Sequence, residues 1–227
     1  MIAALAVLLA AKNIMLDESS FFPLLPSLSL LSIVLAYVCG SIPTGELIGR
    51  RLGIAIRASG SGNIGATNVA RTAGKTAGIL TLVGDMLKGL IPVLVVRQLG
   101  LGENVEAGTV LATILGHMFS IFLGFSGGKG IATGCGAFLG IAPQATLLAI
   151  FPFAVLFGLT KIVSVSSLAA TIALPILLAL LGYPRSYIIA GAVISLLIVV
   201  RHRENIIRLW KGEESRFHLG KDSARST

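Results

Sequence analysis

Three polar segments of this otherwise apolar sequence combine residue types that suit phosphate binding. The first lies within residues 40–68 and contains GSIPTG, the pair Arg50-Arg51 and GSGNIGATN. The second is FSGGKG at 125–130, and the third is RHREN at 201–205. Glycine lets backbone N–H groups turn toward an anion, Lys and Arg neutralise its charge, and Ser, Thr and Asn add neutral donors. Any one segment is typical of an ordinary loop, but together they predict a site for two phosphate groups.

The glycine-rich segments do not match the nucleotide-binding Walker A pattern. The triplet GKT at 74–76 has the correct ending, but Val69 stands where the first glycine would fall. Lys129 is followed by Gly130 instead of Ser or Thr, and Leu123 replaces the first glycine there. The motif needs both features to hold a nucleotide phosphate. We therefore expect no nucleotide binding, and we expect no metal because the His and Cys residues lack ligand spacing.

Five other residues could carry chemistry, but each also has a structural explanation. Asp85 and Lys88 lie three residues apart in an apolar run, so they could neutralise each other on one helix face or serve a site. His117 near the end of a predicted span is more typical of packing or hydrogen bonding than of catalysis. We interpret Cys39 and Cys135 as core residues because apolar surroundings disfavour a thiolate.

Composition indicates that most of the chain lies in lipid. The 227 residues are 55% hydrophobic and 12% charged, against about 25% charged in soluble domains. Apolar runs near 20 residues predict an all-α integral membrane protein with about seven transmembrane helices. The fourth is short and glycine-rich, suited to close packing, and merging it with the fifth would give six. The predicted spans are 27–49, 76–96, 105–123, 130–142, 143–160, 162–181 and 184–200.

The distribution of basic residues predicts the orientation of these spans. With seven spans, 14 of the 18 Lys and Arg residues fall on one face, three on the other, and Lys88 inside a span. Cytoplasmic loops are rich in Lys and Arg, so we expect the N-terminus outside and the C-terminus in the cytoplasm. The same rule explains the net charge of +8 without nucleic acid.

The ends of the chain are interpreted separately from the membrane domain. We assign residues 1–26 to an extramembrane or interfacial lead-in, with a cleaved signal as the alternative, since no positive region precedes the apolar start. Residues 27–215 form the membrane domain and 216–227 a polar cytoplasmic tail. Apolar residues that include Trp210 alternate with charges after Val200, which predicts a short interfacial helix.

Several motifs in order resemble one family. GSIPTGELIGR and GSGNIGATNVAR precede GHMFSIFLGFSGGKGIATGCG, SSLAA and RHRENIIRLWKGEE. This series is similar to that of the PlsY family, the bacterial acyl-phosphate:glycerol-3-phosphate acyltransferases, over about residues 27–215. The resemblance implies a multi-pass protein of the bacterial inner membrane with seven spans and an active site facing the cytoplasm. It implies acyl transfer from acyl phosphate to sn-glycerol 3-phosphate, giving 1-acyl-sn-glycerol 3-phosphate (lysophosphatidate) and phosphate for phospholipid biosynthesis, with no cofactor, metal, nucleotide or acyl-CoA.

The resemblance also implies roles for particular residues. The catalytic residues would bind glycerol 3-phosphate together with Arg51, with Arg50 as the less favoured alternative to Arg51. They are Ser41, Lys129, His202 and Asn205. A second group would cradle the head of acyl phosphate, and Ser167 would add a hydroxyl. The members of that group are Gly60, Ser61, Gly62, Asn63, Gly65, Thr67, Asn68, Gly127 and Gly128.

The residue inventory favours direct attack on the acyl donor. The His-x4-Asp signature is absent, because Phe122 and Ile207 stand five residues after His117 and His202. The acidic residues near the motifs are Glu46, Asp85 and Glu204, which form no defensible Ser-His-Asp arrangement. An acyl phosphate is already activated, so the protein must mainly position a hydroxyl and stabilise charge. Whether His202 acts as a base stays open, and the acyl chain would leave between helices that the sequence does not specify.

Two other classes of protein fit part of the pattern. An organic-phosphate transporter would also need basic pockets near broken helices. A non-catalytic scaffold that binds anionic lipids would need only the basic face. The donor-rich segments gather at one predicted face instead of the midplane, and no inverted repeat is evident, so we favour the enzyme.

Overall fold

A computed structural model describes residues 25–217, and these residues are largely helical. The lead-in predicted for residues 1–26, apart from the first residues of α1, and the tail beyond residue 217 lie outside the described residues. Short 3-10 turns occur at Ile56–Ala58 and Ile121–Leu123. The helices are α1 (Leu25–Ser41), α2 (Thr44–Arg51), α3 (Ala66–Ala73), α4 (Lys75–Leu99), α5 (Glu103–Met118), α6 (Ile131–Ile141), α7 (Pro143–Thr160), α8 (Val163–Leu180), α9 (Arg185–Arg201) and α10 (Arg203–Trp210).

Five helical segments within residues 25–217 are long and apolar enough to cross a membrane. They are Pro26–Arg51, Lys75–Gln98, Glu103–Leu123, Pro143–Thr160 and Val163–Leu180. A sixth would be α9 together with α10, which are bent by 57° at His202. Helix α6 has 11 residues, a length of about 17 Å against a hydrocarbon core of about 30 Å. The predicted all-α membrane architecture is confirmed, and the predicted fourth span is a short helix.

Proline residues mark two of the helix boundaries. Pro43 lies between α1 and α2 and lacks the N–H that a continuous helix would need. Pro143 occupies the first turn of α7, where a missing N–H costs nothing. The turn predicted at Pro143 is therefore confirmed, and it separates the short α6 from the full-length α7.

Glycines bring two helix pairs into backbone contact. A Cβ atom at Gly40 of α1 or Gly116 of α5 would lie only 2.1 or 2.2 Å from a carbonyl oxygen of the facing helix. At Gly89 of α4 and Gly136 of α6 the corresponding distances are 2.1 and 2.0 Å. Only glycine permits such an approach, which is the usual device for close helix packing in lipid. The close packing predicted for the glycine-rich fourth segment is confirmed, and it holds α6 against α4.

The bundle has an apolar core where α4, α5 and α6 meet, and much of its outer surface is apolar too. Val93, Ile114 and Phe138 are completely buried where α4, α5 and α6 meet. On the outside, Phe151 and Leu159 of α7 are 70% and 78% exposed. Exposed side chains of this size would be unfavourable in water but suit lipid. The helices therefore pack around a core of their own and present apolar side chains to the bilayer.

Candidate active site

A cleft of about 780 Å³ opens at the end of the bundle where α3, α4, α6 and α8 begin. Its polar part contains Lys129, His202 and Asn205, which come from two of the three polar segments. Its apolar part contains Leu82 of α4 and Phe157 of α7. A cleft that joins these two surfaces can hold a molecule with an anionic head and an apolar chain.

Lys129 and Asn205 form the polar centre of the cleft. The Lys129 ammonium donates to the Asn205 side-chain oxygen, and the Asn205 amide nitrogen donates to Glu214 Oε1 at 2.6 Å. The charges on either side therefore fix the orientation of the amide, with its oxygen toward the ammonium. An ammonium has three donors, so Lys129 keeps capacity for an anionic ligand.

Glu214 connects this centre to two further elements. Its carboxylate accepts hydrogen bonds from Ser164 of α8 at 2.8 Å and from Arg208 of α10 at 2.7 Å, besides that from Asn205. The side chain is 8% exposed. A buried carboxylate with three donors is well compensated, so Glu214 holds α8, α10 and the chain after α10 together at the cleft.

The environment changes the ionisation of both charged groups. Burial lowers the pKa of Lys129 to about 8, although the nearby Glu214 charge opposes this change. Burial alone would raise the pKa of Glu214, but hydrogen bonds from Asn205, Ser164 and Arg208 and the Arg208 charge lower it below its ordinary value. At neutral pH the cleft therefore contains an ionised carboxylate and an ammonium close to its titration range.

His202 lies at the break between α9 and α10 with its ring buried at the cleft. Its Nδ1 lies 2.8 Å from the Ile198 carbonyl oxygen. Burial lowers the pKa of the ring to about 4, although that backbone contact opposes the change, so the imidazole is neutral at pH 7. A carbonyl only accepts hydrogen bonds, so Nδ1 must carry the ring's proton, and Nε2 is left as an acceptor.

Helix N-termini surround the polar part of the cleft. Gly65 and Thr67 at the start of α3, Gly130 before α6 and Ser164 at the start of α8 all line it. No side chain caps these three helices. The first backbone N–H groups of a helix have no partner within it, and the helix dipole adds positive potential there. Three such termini around Lys129 make the cleft suitable for phosphate groups.

The loop before α3 is held in shape by Asn68. The Asn68 side chain accepts from the Ser61 N–H at 2.9 Å and donates to the Ser59 carbonyl at 3.0 Å. Gly60 has φ +59°, and a Cβ there would lie 2.3 Å from Asn68 Oδ1. Asn63 Oδ1 accepts from the Gly65 N–H at 2.8 Å. Asn68 therefore shapes the loop wall, and its own polar atoms are occupied in doing so.

The structure brings most of the predicted site residues together at the cleft, although they come from distant parts of the sequence. Those that line it are Lys129, His202, Asn205, Gly60, Ser61, Asn63, Gly65, Thr67, Asn68 and Ser167. Those outside the lining are Ser41, Arg51, Gly62, Gly127 and Gly128.

Ser41 and Arg51 have different surroundings outside the cleft. Ser41 is completely buried, and its hydroxyl donates to the Tyr37 carbonyl at 2.9 Å. Its own carbonyl accepts from the Ser120 hydroxyl at 2.5 Å, which ties the end of α1 to the loop after α5. Arg51 is exposed at the end of α2, whereas Arg50 pairs with Glu46 at 3.1 Å. In this conformation Ser41 supports the scaffold under the cleft.

Gly127 and Gly128 use their backbone groups within the protein. Their N–H groups donate to the Met118 and His117 carbonyls at 3.0 and 3.1 Å. The Arg201 guanidinium donates to both of their carbonyls, at 2.7 and 3.1 Å. These glycines therefore shape the loop that presents Lys129, instead of offering free donors to a ligand.

The intramembrane pair Asp85 and Lys88 is both structural and close to the cleft. Lys88 Nζ lies 2.8 Å from Asp85 Oδ1 and donates to the Ile42 carbonyl at 2.7 Å. His117 Nδ1 lies 3.8 Å from the same Asp85 oxygen. Asp85 and His117 line the cleft, whereas Lys88 does not. Both interpretations of the pair thus have support, because the ion pair joins α4 to the end of α1 beneath the cleft.

Several polar lining residues were not predicted from the sequence as site residues. They include Arg71, Lys75, Ser164, Arg208 and Glu214. The basic residues among them fit the general excess of Lys and Arg at one face, so their types alone do not single them out for the cleft. The available signal for Glu214 was an acidic pair, Glu213-Glu214, following a basic helix. The sequence alone does not show which member turns back into the cleft.

The fold and cleft define a helical membrane protein with an anion site beside an apolar surface, and known proteins identify its family. Residues 30–212 match the sequence model of a family described as "Glycerol-3-phosphate acyltransferase". A glycerol-3-phosphate acyltransferase of Geobacter sulfurreducens is 50% identical over 190 residues, which cover 83% of this chain and 97% of the relative. One of Aquifex aeolicus is 43% identical over 190 residues, which cover 83% of this chain and 99% of the relative.

Solved structures agree with these sequence relatives. A crystal structure of PlsY, an integral membrane glycerol 3-phosphate acyltransferase, in its glycerol 3-phosphate form has a TM-score of 0.81 and 42% identity, covering 84% of this chain and 96% of that one. Its lysophosphatidic acid form has a TM-score of 0.79 at the same identity and coverage. The chain belongs to the glycerol-3-phosphate acyltransferase family. The predicted family, acyltransferase activity and role in phospholipid synthesis are confirmed, and these relatives give no support to the transporter alternative.

Proposed function

We propose that this protein transfers a fatty acyl group from acyl phosphate to sn-glycerol 3-phosphate, giving lysophosphatidate and inorganic phosphate. The observation that carries this proposal is the continuity of the cleft, in which a partly buried Lys129 and three uncapped helix N-termini adjoin an apolar wall. Both substrates have phosphate groups, and one has an acyl chain. A solved relative described as the glycerol 3-phosphate form of a glycerol 3-phosphate acyltransferase supports the choice of acceptor.

The acyl chain of the donor would lie between α4 and α7. Ile79 and Leu82 of α4 and Phe153 and Phe157 of α7 line the apolar part of the cleft. Burying a chain against such side chains gains about 25 cal/mol per Å². The chain would enter from the bilayer, and the soluble acceptor would enter from the aqueous side.

The transfer would be direct, in one chemical step. The primary hydroxyl oxygen of glycerol 3-phosphate attacks the carbonyl carbon, the bond from that carbon to the phosphate oxygen breaks, and phosphate leaves. His202 Nε2 accepts the hydrogen bond of the hydroxyl and so orients it. A ring with a pKa of about 4 holds a proton only weakly, so the hydroxyl proton that Nε2 receives as the new bond forms passes on to the departing phosphate. Lys129 and the helix N-termini stabilise the charge that develops.

The proposed topology places this cleft at the inner face of the bacterial cytoplasmic membrane. Seven membrane-inserted helices, with α6 as the short one, would leave the N-terminus outside and the C-terminus in the cytoplasm. Arg71, Lys75, Lys129 and Arg208 all line the cleft, in keeping with the excess of basic residues expected on the cytoplasmic side. Glycerol 3-phosphate would then enter from the cytoplasm.

A comparison of acyl donors tests the proposed reaction. Purified protein would be incubated with glycerol 3-phosphate and either palmitoyl phosphate or palmitoyl-CoA. We expect lysophosphatidate from palmitoyl phosphate and none from palmitoyl-CoA. Product from palmitoyl-CoA alone would contradict the proposed donor, and uptake of labelled glycerol 3-phosphate into proteoliposomes without acylation would contradict the enzyme.

A further inference from the structure

The chain after α10 returns to line the cleft instead of leaving it. Glu214 is fixed in the polar centre by Ser164, Asn205 and Arg208. Three residues later, the Phe217 N–H donates to the Lys161 carbonyl at the end of α7 at 2.6 Å. We call residues 215–217 the strap. The family match ends at residue 212, so the strap lies beyond it.

The strap is attached on the opposite side of the cleft as well. Arg71 at the end of α3 donates from Nη2 to the Ser215 carbonyl at 3.2 Å. The Arg71 guanidinium carbon also lies 5.9 Å from the centre of the Phe217 ring, within the range of a cation–π contact. The strap therefore bridges α3 and the end of α7.

Phe217 extends the aromatic wall of the apolar part of the cleft. Its ring centre is 6.1 Å from that of Phe157, which stacks on Phe153 at 5.8 Å. All three rings line the cleft. Three residues of extended chain reach at most about 10 Å, so the backbone of Phe217 lies within about 10 Å of the backbone of Glu214, whose carboxylate belongs to the polar centre. This is the region where the head of an acyl phosphate would continue into its first methylene groups.

We propose, on the basis of the acyl-phosphate activity proposed above, that Phe217 packs against the donor's acyl chain next to its carbonyl and that Arg71 holds the strap in place for this contact. The ring is held by a backbone hydrogen bond, an aromatic neighbour and a cation, so it is positioned before the donor binds. A contact near the carbonyl is shared by donors of every chain length. It does not involve the acceptor, which is held at the polar centre.

Steady-state kinetics of Phe217→Ala test this contact. Relative to wild type, the variant should raise KM about 5-fold to 10-fold for both octanoyl phosphate and palmitoyl phosphate, and leave KM for glycerol 3-phosphate within 2-fold. The donor KM of Phe217→Leu should lie between those of wild type and Phe217→Ala. Trp210→Ala is the matched control, since Trp210 is an aromatic residue of the preceding helix, 90% exposed and outside the cleft. Thermal unfolding of each purified variant separates a lost contact from a lost fold.

The role of Arg71 is tested by a double-mutant cycle. If Arg71 acts by holding the strap, Arg71→Ala should raise the donor KM, and the Arg71→Ala/Phe217→Ala double variant should lie within 2-fold of the larger single effect. If the double variant instead raises the donor KM by the product of the two single effects, this role for Arg71 is wrong. A donor KM within 2-fold of wild type in folded Phe217→Ala, or an effect on palmitoyl phosphate alone, would overturn the contact at the carbonyl. Failure of the proposed function is a different result, because wild type itself would then show no acyl-phosphate-dependent acylation.

Discussion

At the scale of single residues, Lys129 is a partly buried cation among helix N-termini, which suits it to bind the acceptor phosphate. Lys129→Ala should lower kcat/KM for glycerol 3-phosphate by about 100-fold, equivalent to roughly 3 kcal/mol, since a charged contact in the cleft is lost. Steady-state kinetics of purified, folded protein measure this effect. Lys211→Ala is the control, because Lys211 is exposed and outside the cleft lining. Equal activities of Lys129→Ala and Lys211→Ala would show that Lys129 does not act in the site.

The pKa of Lys129 predicts an alkaline limit on acceptor binding. Burial lowers this pKa to about 8, so the ammonium loses its charge as pH rises through that value, instead of above pH 10 as for an ordinary lysine. KM for glycerol 3-phosphate should therefore rise as pH exceeds about 8. Burial also lowers the pKa of His202 to about 4, so we expect no inflection from it near pH 6.5.

Lys129→Arg provides the control for the pH profile. Arginine stays charged throughout this range, so the rise of KM above pH 8 should disappear in the variant, even if its activity is lower. A profile with the same inflection in Lys129→Arg would assign the titration to another group.

Residue type alone could predict much of the site but not its connections. Lys129, His202, Asn205 and Ser167 were predicted, and all four line the cleft. Ser41 has an equally suitable hydroxyl, yet a carbonyl one turn earlier in α1 takes it. Such capture depends on the side-chain rotamer, and the return of Glu214 to a residue 50 positions away depends on tertiary structure. Neither is visible in a sequence pattern.

At the scale of elements, Glu214 is expected to hold α8, α10 and the chain after α10 in position around the cleft. Glu214→Gln removes the charge that Arg208 and Asn205 approach, so Asn205 would orient Lys129 less well. We expect activity to fall about 10-fold, together with a lower thermal midpoint, because each hydrogen bond to a charged group contributes about 1.5–3 kcal/mol. Glu213→Gln is the matched control, since Glu213 is its exposed neighbour. Unchanged activity and stability in Glu214→Gln would contradict this role.

The loop before α3 gives a second prediction at this scale. Gly60→Ala would place a Cβ 2.3 Å from Asn68 Oδ1, and φ is +59°, so the loop and its hydrogen bonds to Asn68 should be displaced. Gly53 has φ +70° with nothing near a Cβ, so Gly53→Ala tests the backbone cost alone. We expect at least a 10-fold larger loss of activity for Gly60→Ala. Similar losses in the two variants would show that the contact with Asn68 is unimportant.

Helix positions followed from the sequence better than helix lengths. The apolar runs located the helices, and Pro143 marked the boundary between α6 and α7. The span predicted at 27–49 is two helices that meet at Pro43, because proline cannot continue the hydrogen-bond ladder. Helix α6 stops at Ile141 after 11 residues. Its packing against α4 through Gly136 depends on a partner that hydrophobicity does not reveal.

At the scale of the whole molecule, the proposed orientation predicts which side of the membrane each loop faces. Cys39 and Cys135 would first be replaced by Ala, and single cysteines introduced at Lys211 and Gly102. In intact spheroplasts, an impermeant maleimide should label position 102 and not 211, and permeabilisation should expose 211. The reverse labelling would invert the topology and place the cleft outside.

A single-turnover reaction shows whether the acyl group passes directly from donor to acceptor within the cleft. Wild-type protein would be mixed with palmitoyl phosphate, first without and then with glycerol 3-phosphate, while phosphate, lysophosphatidate and the intact protein mass are followed. We predict no phosphate burst and no acylated protein without the acceptor, then one lysophosphatidate per phosphate once it is added. A phosphate burst accompanied by an acyl adduct on the protein before the acceptor arrives would contradict direct transfer.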